Sequence, residues 1–163
     1  MATATPNAAT TDLTKAGKCL QGDALRPALE ASLDHALENI AHNFAVSATA
    51  AGDAWVERKQ PTGDWPLLVK SGRLASSVLG DAAGLAGNVP INSEGQSEHV
   101  RIVEDDHALI ASTVPYAATH EHGDPSRNIP QRQFMGVDGE CVGRIVETIA
   151  DQVEKLLGEA LGK

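Results

Sequence analysis

The residues of this chain best suited to hold a metal ion are His120, Glu121 and His122, followed by Asp124. Two imidazoles two positions apart on a strand point the same way and can share a zinc ion, with Asp124 as an oxygen ligand. A small metal-dependent hydrolase using His120, His122 and Asp124 would also need a further ligand at a controlled distance. His35, His42, His99 and His107 follow no spacing that supplies one. The surrounding YAATHEHG suits a short helical turn, on which residues two apart diverge. The histidines are therefore read as structural, and no cofactor is expected.

Nucleophiles fare no better. There is no G-x-S-x-G elbow, and Ser71, Ser76 and Ser77 sit in capping or surface contexts. Cys141 falls in the first turn of a helix, where the helix dipole would lower its pKa. It has no identifiable base, so a buried structural thiol is the better reading. Cys19 and Cys141 show no framework spacing and fit free thiols in a reducing compartment. Gly84 and Gly87 in GLAGN lack the Lys-Ser/Thr ending of a phosphate loop. Asp105-Asp106 is explained by a turn. The sequence predicts no enzyme.

The basic residues suggest contact rather than catalysis. Arg58, Lys59, Lys70 and Arg73 flank the Trp65-Pro66 corner, and Arg127 and Arg132 bracket Ile129-Pro130. Trp and Arg often dominate interface energies. The expected assembly interface comprises Trp55, Trp65, Lys70, Arg73, Arg127, Arg132 and Phe134. On that reading Trp65→Ala or Arg73→Glu leaves the monomer folded.

Several elements must position these residues. Leu25, Leu29, Leu33, Leu37, Ile40, Phe44 and Ala48 recur at steps of three or four. They predict a long helix capped by Asp23, with Pro27 in its first turn and an end near Gly52. Ser71 is placed as the cap of a short helix carrying Leu74, Val78 and Leu79. HVRIVEDDHALIAST reads as a β-hairpin turning at Asp105-Asp106. Asp138 caps a last helix whose apolar face runs from Val142 to Leu161. The expected fold is α+β, a long N-terminal helix and a long C-terminal helix packed on a small, mostly antiparallel sheet with a β-hairpin. Residues 1–22 are Ala/Thr-rich without a sustained period and are read as a flexible N-terminal arm, with residues 23–163 as a single domain.

Composition narrows the function classes. The 163 residues are 42% hydrophobic and only 3% aromatic, so the core is built from Ala, Leu, Val and Ile around five large rings. A thin core of this kind leaves room for a partner to complete the burial. A formal charge of -9 opposes non-specific nucleic-acid binding, although it suits a wall past which DNA slides. No apolar run reaches the ~18 residues of a membrane span. The first residues lack the charged start and apolar block of a secretory signal.

Four stretches, taken in order, resemble the phage virion-morphogenesis and tail-completion proteins, the neck or head–tail joining family of tailed bacteriophages. They are Trp55 after Gly52, LLVKSGRLASSV from Leu67 to Val78, PYAATHEHG from Pro115 to Gly123, and IPQRQFMGV from Ile129 to Val137. Met135 stands where the family often has Leu, a nearly volume-neutral change. The resemblance implies a non-enzymatic virion protein of the neck or tail, assembled in the host cytoplasm into a homo-oligomeric ring, commonly sixfold. Its implied partners are the tail-tube protein and the head connector or head-closure protein, with phage DNA passing through the lumen and no membrane contact. A tail terminator that stops tube growth is the alternative within the same class. Rings of this kind need two different complementary patches per subunit. The basic corner and the acidic faces Glu30, Asp34, Glu38 and Glu147, Asp151, Glu154 are the candidates.

Overall fold

A computed structural model describes residues 8–58, 66–80 and 90–162. Trp65, Lys59 and the GLAGN stretch lie outside the described residues. The chain is α+β, with long helices packed on a two-stranded antiparallel hairpin. Helix α1 spans Ala8–Cys19, and after a 3-10 turn at Gly22–Leu25 helix α2 runs Arg26–Val46. Helix α3 is Arg73–Leu79, strands β1 and β2 are His99–Val103 and Ala108–Ser112, α4 is Ala117–His122, and α5 is Gly139–Leu161.

Helix α2 forms because its apolar positions repeat at helical spacing, and that stripe buries Leu33, Leu37, Ile40 and Phe44. It starts three residues after Asp23, whose backbone carbonyl serves the 3-10 turn. Its end also comes earlier than the stripe suggests. Ser47 takes a left-handed conformation (φ 55°), and the chain reverses so that the Trp55 N–H donates to the Ser47 carbonyl at 2.8 Å. This reversal returns Trp55 to the helix end, edge-on to Phe44 at 5.8 Å between ring centroids.

Helix α5 opens on Asp138, whose Oδ1 accepts from the Cys141 N–H at 2.7 Å. The other carboxylate oxygen of Asp138 accepts from Asn39 Nδ2 at 2.7 Å, tying this cap to α2. Farther along, Thr148 meets His35, and Gln152 reaches the Ala24 carbonyl. The two long helices therefore run antiparallel. Helix α1 packs against α5. That helix stands where the sequence suggested an arm. The apolar stripe of α5, only partly covered by α2, gives this weakly patterned segment something to fold against.

The hairpin pairs His99 with Ser112 and Val103 with Ala108, and the Glu104 N–H closes the turn on the His107 carbonyl at 2.9 Å. It docks on α3 through Ser77 and Ser112, whose hydroxyls lie 2.7 Å apart. The core joins Leu37, Ile40, Phe44, Trp55, Leu74, Ala75, Val78, Leu79, Val114, Ala117 and Phe134.

Candidate functional site

The four recognisable stretches meet around one corner at the C-terminal end of α2. Glu121 Oε2 accepts from the backbone N–H groups of Phe134, at 2.9 Å, and Met135, at 3.2 Å. Asn43, fully buried, donates to the carbonyls of Phe134 and Gly136. Trp55 Nε1 donates to the Gln133 carbonyl at 3.0 Å, and Arg132 Nε to that of Val56 at 2.9 Å. Residues 129–136 thus gain side-chain partners in place of a ladder, which is how an irregular segment stays buried.

These contacts revise the expected interface. Trp55, Arg132 and Phe134 are 4%, 7% and 1% exposed, so Trp55 and Phe134 pack inside the monomer, and Arg132 opens outward only into the cavity it lines. Arg73 is committed within the chain. Its guanidinium grips the buried carboxylate of Glu98 through Nε, at 2.7 Å, and through a second contact from Nη2. That pairing lowers the Glu98 pKa and raises that of Arg73, against the opposing effect of burial on each. The sequence missed Glu98 because it sits in a polar run, SEGQSEH, that reads as loop. Arg127 is exposed but bonded to Asp124 and Thr119. Lys70 lies on the exposed bend before α3.

The proposed zinc ligands do not come together. Asp124 Oδ1 accepts from Ser126 and from the Arg127 N–H, and its Oδ2 from Arg127 Nε at 2.6 Å. Those hydrogen bonds, from Ser126 first and Arg127 second, bring its pKa down to about 2. Glu121 faces inward on backbone amides. Among the described residues, only Glu104, Asp106 and His107 at the hairpin tip bring three metal-ligating atoms within 4.8 Å of one another, and all three are exposed.

Cys141 is fully buried and its thiol donates to the His35 carbonyl at 3.4 Å. Burial raises its pKa, outweighing the helix-terminus effect expected from its position, so it is an inert core thiol. Ser77 is structural as well, donating to the Leu74 carbonyl at 2.7 Å, whereas Ser71 does not cap α3, whose N-cap is Gly72 with no side-chain cap bond.

Beside the corner lies a cavity of about 700 Å³, lined by Val56, His120, His122, Ile129, Pro130 and Arg132 among others. His120 has its pKa lowered by burial and then by the charge of Arg132, both of which disfavour the charged ring. Gly123, at the rim, holds φ +73° and ψ 170°, a region open to glycine alone. A Cβ there would stand 2.8 Å from the Gln131 backbone nitrogen. Gly123→Ala is expected to cost about 1–3 kcal/mol in urea unfolding. A change within a few tenths of a kcal/mol would mean the corner is loosely held.

Comparison with protein-family models, with curated proteins and with solved structures finds no match to this chain.

Proposed function

We propose that this chain is a structural protein of a tailed-bacteriophage virion, a neck or tail-completion protein that forms a ring where the tail joins the head. One observation carries the reading. The four stretches that resemble the family, scattered between residues 55 and 137, contribute Trp55, Leu74, Val78, Ala117 and Phe134 to one core. Residues that meet in this way make a fold signature, so the likeness bears on architecture and not on isolated words of sequence.

The charge distribution is compatible with a DNA conduit. On α2, Glu30, Asp34 and Glu38 pair with Arg26, Arg101 and Arg144. Glu147, Asp151 and Glu154 of α5 are exposed and have no ion pair among the described residues. A wall of unpaired carboxylates offers phosphates nothing to hold, so DNA passes without sticking. The expected partners are the tail-tube protein below and the head connector above. No helix among the described residues is long and apolar enough to cross a membrane.

Gold-labelled antibody against the chain is expected to mark tailed particles at the head–tail joint. Label on the tail alone, at the tube's end in particles lacking heads, would favour the tail terminator. Particles free of the protein would remove it from the virion.

A further inference from the structure

Among the arginines placed in the structure, Arg132 is the most deeply buried. Arg26, Arg73, Arg101, Arg127 and Arg144 each pair with a carboxylate. Arg132 is 7% exposed, the most buried cation described, and the only hydrogen-bond partner of its guanidinium among the described residues is the Val56 carbonyl. The chain does not lack carboxylates, with 22 acidic residues against 13 basic ones. A guanidinium on a largely buried side chain without a counter-charge is costly, and burial lowers the Arg132 pKa. The nearby charge of Arg58 adds to that cost. Glu57 also lines the cavity but forms no ion pair with Arg132. His120 presents a second unmet group, since its buried Nδ1 has no hydrogen-bond partner.

The complementary feature is the hairpin tip. Glu104, Asp105, Asp106 and His107 project from a paired ladder with side chains well exposed, 63% for Glu104 and 88% for Asp106. The ladder fixes the tip before any contact is made, so little ordering entropy is lost on docking. Tip and cavity sit at opposite ends of α2. The tip lies beside Arg26 at the start of that helix, whereas the cavity adjoins the Trp55–Phe44 contact at its end. A helix of 21 residues is about 30 Å long. One copy therefore cannot satisfy its own Arg132 with its own tip.

We propose that the Arg132 cavity is the receiving half of a contact between copies of this chain, filled by the Glu104-Asp105-Asp106 tip of a neighbouring copy. The inference rests on the ring assembly put forward above and names the two patches that make it. A contact between unlike patches at opposite ends of a subunit propagates head to tail, closing into a ring when the rotation allows. The apolar walls, Val56, Ile129 and Pro130, keep water from the charge pair and strengthen it.

The test is sedimentation velocity of the full-length chain over a range of concentrations. Two variants each remove one half, Asp105→Lys/Asp106→Lys at the exposed tip and Arg132→Gln in the cavity. Each alone is expected to lose every species above the monomer, with the circular dichroism of the tip variant unchanged. Mixed together they are expected to give a species of two copies and nothing larger, because one supplies an intact cavity and the other an intact tip. A tip variant that assembles as wild type does would overturn this contact and leave ring assembly standing. A mixture that stays monomeric, with both variants folded, would also overturn it. Should Arg132→Gln fail to fold, the tip variant decides by itself. A wild-type chain that remains monomeric throughout removes the ring, and this contact with it.

Discussion

Phe134→Ala is expected to lower the stability of the monomer by about 3–5 kcal/mol. Phe134 is 1% exposed and its ring lies 5.3 Å from that of Phe44, which in turn meets Trp55 edge-on. With five large rings in the whole chain, nothing nearby is able to refill the space. The loss is therefore transfer energy plus an uncollapsed cavity. The backbone at Phe134 is also clamped, by Glu121 on its N–H and Asn43 on its carbonyl, which prevents the corner from relaxing inward. Urea unfolding followed by Trp fluorescence measures this directly. A loss below about 1 kcal/mol would mean that residue 134 faces outward, as its sequence position first suggested.

Arg73 produces the second large effect, and its signature is in the pH dependence. In the wild type, Arg73 holds the Glu98 pKa below its ordinary value of 4.5. The pair's contribution is present above that value and is lost as pH falls through the lowered folded pKa. In Arg73→Ala, Glu98 keeps its burial and loses its partner, so its folded pKa rises above the unfolded one. Stability is then greatest below 4.5 and declines as pH rises. The wild type is expected to lose melting temperature as pH falls below about 4.5, whereas the variant is expected to lose it as pH rises above about 4.5. Arg73→Glu sets two carboxylates together, one of them buried, and is expected to abolish the cooperative thermal transition at neutral pH. Parallel slopes for wild type and Arg73→Ala would show that Glu98 reaches solvent or another partner.

The long helices and the hairpin were legible because their signals are local. Leu33, Leu37, Ile40 and Phe44 repeat at helical spacing, Asp138 caps α5 as its position predicts, and Asp105-Asp106 sits in the turn between β1 and β2. Helix α1 was not legible, because AATTDLTKAGKC has no sustained apolar face and depends on α5 for its place. The corner was half legible. Its motif residues stood out by type, but their burial follows from contacts such as Trp55 with Gln133 and Arg132 with Val56, 78 and 76 positions apart. An Arg in a Pro-bearing loop reads as exposed until the fold wraps around it.

The central claim, that this protein is an assembling part and not a catalyst, is tested most directly by its mass in solution together with two-dimensional class averages of the purified chain. The account predicts a closed annulus whose mass is a whole multiple of the 17.0 kDa chain. A uniform population of single copies, unchanged by concentration or by added tail-tube protein, would contradict it.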